Sequence, residues 1–173
     1  MKVIETERLL LRTWQEEDAD PYYQMNQDPL VIEFLPESLS IEEVKKFIAD
    51  QNSCFLKHRY AFWAVEEKIS GAMIGFVGFM KAKDPLSPSA IEIGWRFASQ
   101  SWGQGYATEA ARAVLDYGWN TLGLEEVFSC TVVNNHRSQH VMEKIGMKRD
   151  LAGDFNDPLH PLSKHVLYRI KKS

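Results

Sequence analysis

The stretch "SWGQGYATEA" at residues 101–110 sets two glycines one residue apart, just ahead of an alanine-rich run of helical composition. Directly upstream, "AIEIGWRF" (90–97) alternates apolar residues in the manner of a strand. A Gly-x-Gly turn between strand and helix bares backbone N–H groups at a helix N-terminus, where they can hold an anion. Two familiar phosphate loops are excluded by their own residues. The dinucleotide fingerprint G-x-G-x-x-G/A fails because 103–108 reads G-Q-G-Y-A-T, and no G-x-x-x-x-G-K-[S/T] occurs in the chain. What remains is an anion cradle of another kind, or a tight turn that uses glycine only for its backbone freedom.

Other residue types capable of chemistry are fewer. His136 and His140 stand four apart, the spacing of a metal pair on a helix. Yet Arg137 occupies the place of a zincin glutamate and no third ligand is evident, so no metal is expected. Cys54 and Cys130 fit neither metal nor redox spacing and read as reduced thiols, Cys130 as packing inside a strand. Glu92 is the carboxylate of interest. In "AIEIGWRF" the apolar residues 91, 93, 95 and 97 alternate away from it, and a sheet covered on both faces disfavours a central charge. Partial burial would lift its pKa toward that of a general base; an ion pair with Arg96 or Lys81 is the competing assignment.

The elements that must position these residues follow from periodicity. The 173 residues suit a single domain, 1–173, able to bury a core without metal or disulfide. "VIETERLLLRTW" (3–14) predicts a first strand. "QEEDADPYYQMNQ" (15–27) predicts a helix capped by Asp18 or Asp20, with Pro21 near its start. Ser40 and Glu43 form a capping-box pair opening a helix over 38–57. "YAFWAVEE" (60–67) and "AMIGFVGFMK" (72–81) predict an antiparallel hairpin, and "AKDPLSPS" (82–89) a loop. Positions 107, 110, 111, 114, 115, 118 and 122 form a helical stripe, 125–133 a strand, "NNHRSQHVMEKIG" a helix ended by Gly146, and 165–172 a last strand. The order implies a mixed α/β (α+β) sheet with one parallel pair joined across the 105–122 helix. A net charge of -4 with interspersed signs argues against a nucleic-acid partner. "GAMIGFVGFM" is too short to span a bilayer, and "MKVIETERLL" carries acids where an export signal is apolar. A cytoplasmic protein without a membrane partner is therefore expected.

"QSWGQGYATEA" resembles the coenzyme A loop of the GNAT N-acetyltransferases, Q/R-x-x-G-x-G/A, matched by Gln100, Gly103 and Gly105. Its wording is nearest to the RimJ/RimL-type branch that acetylates N-terminal amines of ribosomal proteins. "NHRSQHVMEKIGM" (135–147) resembles that branch's N-x-x-S-x-x-V-x-E-K-x-G-F, with Met147 replacing the aromatic, and "ETERLLLR" is similar to the family's first strand. The resemblance implies a single-domain fold whose mostly antiparallel sheet of about six to seven strands splays between the fourth and fifth, with helices on both faces. It also implies acetyl-CoA as cosubstrate and a primary amine as acceptor, either a protein N-terminus or a small molecule, on a monomer or homodimer. A catalytically silent coenzyme A-binding sensor or partner-binding module on the same fold is the alternative.

Residue by residue, the resemblance puts the diphosphate against the backbone at Gly103, Gln104, Gly105, Tyr106, Ala107 and Thr108, with Gln100 beside it. Phe97 and Ala98 would lend backbone to the pantetheine arm, and a backbone N–H near Trp95–Phe97 would face the oxyanion. Many relatives use a tyrosine acid four residues before the last glycine of the second motif. Met142 stands there, and a thioether donates no proton. In the ribosomal-protein branch a serine one turn earlier is the candidate, which maps onto Ser138; a hydroxyl satisfying the helix start is the other reading. Asn135 pairs with pantetheine or acts as N-cap. Arg137 and Lys144 pair with the adenosine 3′-phosphate or form a charged helix face. The segment 26–36, with Trp14, Glu33, Phe34 and Trp95, would wall the amine pocket. Residues 155–168, with Asp157, would close its other side.

Overall fold

The N-terminal apolar run forms a hairpin rather than one strand: β1 (Lys2–Glu5) turns through Thr6 into β2 (Leu9–Arg12). Thr6 makes the turn. Its N–H donates to Leu9 C=O at 2.9 Å and its hydroxyl accepts the Leu9 N–H at 3.0 Å, a local pairing that threonine offers in place of the ladder. The computed structural model describes residues 1–81, 90–157, 160, 162 and 164–172, so the predicted loop at 82–89 lies outside the described residues.

The rest of the sheet comprises β3 (Phe62–Glu67), β4 (Met73–Lys81), β5 (Ile91–Phe97), β6 (Glu126–Val132), β7 (Lys148–Arg149), β8 (Phe155–Asn156) and β9 (Lys164–Lys171). Their order is β1-β2-β3-β4-β5-β6-β9-β7, with β8 against β9. Every neighbouring pair is antiparallel except β5–β6. The strand total exceeds the expected six to seven because the first strand is a hairpin and because β7 and β8, two residues each, are too short to leave a period. The two strands expected to part are β5 and β6, now fifth and sixth in the order.

Helices cover both faces. On one, α1 (Ala19–Met25) and the first part of α3 (Ile41–His58) pack Tyr22, Val44 and Ile48 against Trp14, Ala64 and Phe76. The capping box of α3 is formed as expected: Ser40 Oγ accepts the Glu43 N–H and Glu43 accepts the Ser40 N–H at 2.8 Å. On the other face, α4 (Tyr106–Asn120) and α5 (His136–Lys144) bury Ala110, Ala111, Val114 and Met142 over Trp63, Val77, Phe79 and Ile93. Asp18 heads α1 but makes no side-chain cap. Its carboxylate is instead held by Arg12, at 2.7 and 2.9 Å, because a buried guanidinium needs a counter-charge more than a helix end needs a cap. A one-turn helix, α2 (Pro29–Ile32), lies in the segment expected to wall the amine pocket. Among the described residues no helix is long and apolar enough to cross a membrane.

Candidate active site

β5 and β6 start together and part. A single residue pair, Glu92↔Phe128, joins them. The Ser129 hydroxyl then bridges to Ile93 C=O at 2.9 Å, and beyond that point the strands diverge. Which backbone groups face the gap follows from strand alternation. Ala98 N–H bonds Ile74 C=O on the β4 side, whereas Ile93 and Phe97 turn their carbonyls to the other side, to Ser129 and to the Trp102 indole N–H (2.9 Å). Residues 93, 95 and 97 therefore present their backbone to the gap. The N–H and C=O of Trp95 and the N–H of Phe97 are left without partners among the described residues.

At the wide end of the gap the chain passes through a 3₁₀ turn, Ser99–Ser101, into the Gly-x-Gly stretch. Gly103 and Gly105 both have positive φ, 76° and 82°, where a Cβ is strained, and Gly105 is the N-cap of α4. None of the backbone N–H groups of residues 103–107 donates within the protein among the described residues. They are left bare at the positive end of a fifteen-residue helix, as an anion cradle requires.

The loop is held from behind. Arg8 Nη1 donates to Gln104 C=O at 2.9 Å. Because the peptide is planar and trans, pulling that carbonyl back turns the Gly105 N–H the opposite way, toward the open side. Arg8 is itself fixed by Glu109 (2.6–2.7 Å) and lies over the Tyr106 ring. Glu109 also accepts the Thr6 hydroxyl at 2.6 Å and the Arg8 N–H at 3.0 Å. Burial works to raise its pKa, but these donors outweigh it and hold the carboxyl below its usual value.

Gap and loop open into one cavity of about 510 Å³, large enough for a cofactor-sized ligand. Its walls come from β5, β6, the loop, α2 and α5. No carboxylate lines it among the described residues, whereas Arg96, Arg137 and Lys144 do.

Similarity to known proteins bears on this geometry. The acetyltransferase (GNAT) domain model matches residues 8–148. The N-acetyltransferase YnaD of Bacillus subtilis is 31% identical over 147 residues, 85% of this chain and 83% of its own length. The chain belongs to the GNAT acetyltransferase family. A GNAT-family acetyltransferase from Bacillus anthracis superposes with a TM-score of 0.82 at 28% identity, covering 97% of each chain. The microcin C7 self-immunity acetyltransferase MccE, solved with acetyl-CoA and AMP, shares the fold at TM-score 0.79 and 15% identity, covering 96% of this chain and 94% of its own.

Against the GNAT expectations, Phe97, Gly103, Gly105, Tyr106, Ala107, Thr108, Asn135 and Ser138 all line the cavity. Gln104 supplies the carbonyl that Arg8 holds. Ala98 spends its N–H on β4, and Gln100 lines a separate, smaller cavity of about 240 Å³ beside α1. Asn135 is the N-cap of α5: its Oδ1 accepts the Ser138 N–H at 3.2 Å. The helix start is thus satisfied by Asn135, and the Ser138 hydroxyl is not its cap. Met142 is fully buried in the core. Glu92 does not pair with Arg96. It sits at the closed end of the gap and accepts a hydrogen bond from the Cys130 thiol, which itself lines the cavity. Among the described residues no cluster of His, Cys, Asp and Glu could hold a metal ion.

On the side expected to take the amine, Leu30, Val31, Phe34, Leu35 and Trp95 line the cavity. Trp14 does not. It is 4% exposed, its indole bonded to Phe62 C=O at 2.7 Å, because the β2 alternation turns it into the α1–α3 core. Arg137 spans the mouth: it pairs with Glu33 at 2.6 Å and lies over the rings of Trp102 and Phe34. His160 meets Phe34 C=O at 3.1 Å, so the 155–168 segment does reach the 26–36 wall. Arg8, Glu109, Trp102 and Arg96 were not anticipated as site residues. "ETERLLLR" and "ATEA" carried the first two in plain view, but only the tertiary meeting gives them a role.

Proposed function

We propose that this protein transfers an acetyl group from acetyl-CoA to a primary amine, on a small molecule or a protein N-terminus, by direct transfer in a ternary complex. The observation that carries this is the pairing of bare amides at 103–107 with an unpaired β5 edge in one cavity. The presence of acetyl-CoA in MccE on the same fold supports it. The likeness of 100–110 and 135–147 to the ribosomal-protein branch favours a RimJ/RimL-like enzyme.

Acetyl-CoA supplies the acetyl thioester; the amine nitrogen forms the new C–N bond as C–S breaks, nitrogen loses a proton and sulfur gains one. In this reading the amides of 103–107, with Thr108 and Asn135, hold the diphosphate and pantetheine. The N–H groups of Trp95 and Phe97 stabilise charge on the carbonyl oxygen. The Ser138 hydroxyl donates the proton to sulfur. Glu92, one side chain back from the cavity behind Cys130, receives the amine proton through water.

The buried Met142 at the usual acid position favours one competing reading, a coenzyme-binding module without turnover. Purified protein with acetyl-CoA and an amine panel, monitored for free thiol and for melting temperature, decides. Transfer predicts thiol release; a raised melting temperature with no thiol release for any amine selects the binding module.

A further inference from the structure

Two arginines of the central sheet, Arg12 buried and Arg96 half-buried, are treated differently. Arg12 is 6% exposed and meets two carboxylates, Asp18 and Glu66, each at 2.7 Å. That is the ordinary condition for a buried guanidinium. Arg96, on β5, has no carboxylate partner among the described residues. Its Nη1 donates to Asn26 Oδ1 and to the Tyr22 hydroxyl at 3.4 Å, and its guanidinium lies over the Phe76 ring. All three partners are neutral. Burial pulls the Arg96 pKa down, as expected for a charge lacking a counter-ion.

The partners are fixed. Asn26 is fully buried, and its amide donates to Tyr22 C=O at 2.7 Å, which points Oδ1 at Arg96. The other guanidinium N–H groups have no protein acceptor among the described residues. They are not sealed either: the buried unpartnered side-chain atoms belong to Trp63, Glu126 and Arg169. The open space beside Arg96 is the cavity it lines.

The coenzyme does not account for this charge. Arg96 projects to the α1 face of the sheet, with Tyr22 and Phe76, whereas the bare amides cap α4 on the opposite face. On its own face the neighbouring cavity wall is α2, the amine side. Arg137, the other cavity guanidinium, is already paired with Glu33.

We infer that the acceptor carries a carboxylate-type anionic group close to its reactive amine, and that Arg96 binds it. The inference rests on the acetyl-transfer reading and narrows its acceptor. Among the described residues a polycationic amine finds no acidic wall here, while an amino acid or similar zwitterionic amine supplies the missing counter-charge for Arg96. Arginine suits a carboxylate because its planar fork can offer two parallel donors.

The test is thiol release at saturating acetyl-CoA with α-, β- and aromatic amino acids, each matched to its carboxamide, and with spermidine. The proposal expects at least one acid to exceed its amide in kcat/KM by about tenfold or more, the effect of one charge-assisted hydrogen bond. Arg96→Gln should bring that ratio to near one, and Arg96→Lys should retain part of it. A wild-type ratio near one, spermidine as the best acceptor, or a ratio that survives Arg96→Gln overturns the proposal and leaves the transfer reading standing. The wild-type ratio decides even where Arg96→Gln does not fold. No thiol release from any amine, with acetyl-CoA still raising the melting temperature, removes the transfer reading and this proposal with it.

Discussion

Strand β5 has two edges with opposite fates. Toward β4 every residue is paired, from Gly75↔Phe97 to Lys81↔Ile91. Toward β6 there is one ladder pair, after which, among the described residues, only side chains meet this edge, the Ser129 hydroxyl at Ile93 C=O and the Trp102 indole at Phe97 C=O. Looseness of the sheet is not the cause, since β6 is itself paired to β9 along its whole length, from Glu126↔Lys171 to Val132↔His165. The gap is confined to one seam between two well-made ladders. Leaving the three groups of Trp95 and Phe97 unpaired forgoes roughly 1.5–4.5 kcal/mol at about 0.5–1.5 per hydrogen bond. Against a typical stability of about 5–15 kcal/mol that is a large sum. A guest that hydrogen-bonds like a strand would recover it.

The sharpest way to break the contrast is to strain the cradle at the open end. Gly105→Val forces a β-branched residue to φ 82° and sets its Cβ about 3.5 Å from the Arg8 guanidinium that holds the loop from behind, so both the turn and its clamp are strained. Coenzyme A affinity should fall by about a hundredfold or more while the fold persists, as read by calorimetry and circular dichroism. Unchanged affinity would refute the loop as the diphosphate site. Next in size, Ser138→Ala should lower kcat by about 10–100-fold in the thiol-release assay, chiefly without raising the KM for acetyl-CoA. An unchanged kcat would mean that sulfur takes its proton from elsewhere.

The clamp behind the loop gives a smaller effect. Glu109→Gln keeps the shape and removes the charge that fixes Arg8. It should cost about 2 kcal/mol of stability and weaken coenzyme binding several-fold, seen in urea unfolding and titration. The same carboxylate sets a pH signature. Its folded pKa lies below the ordinary 4.5, so its contribution is present above that value and is lost as pH falls through the folded one. The melting-temperature difference between wild type and Glu109→Gln should be full at pH 7 and shrink as pH falls below the ordinary 4.5 toward the lowered folded value. A difference that stays constant with pH would mean the carboxylate's charge is not what holds the loop.

Much of this is legible in the sequence alone. The capping box at Ser40 and Glu43, the α4 stripe and the Gly-x-Gly turn are local signals, each read within one turn or one strand. The parting of β5 and β6 came from resemblance, since no local pattern says which ladder will stay open. What sequence missed is long-range pairing. Trp14 read as a pocket aromatic because composition does not tell a core ring from a wall ring. The Glu92–Arg96 ion pair was a reasonable expectation for strand neighbours of opposite charge on one face. It failed because α1 brings Asn26 and Tyr22 to Arg96 instead.

The bond from Arg8 to Gln104 ties together positions 96 apart along the chain. Closing a contact of such separation carries a large loop-closure entropy cost. In the proposed reading, competence to grip a diphosphate therefore requires the opening segment to be docked on the middle of the polypeptide. Clipping away the first eight residues would disarm the ligand-holding turn from a hundred residues off, without touching any atom that meets the ligand.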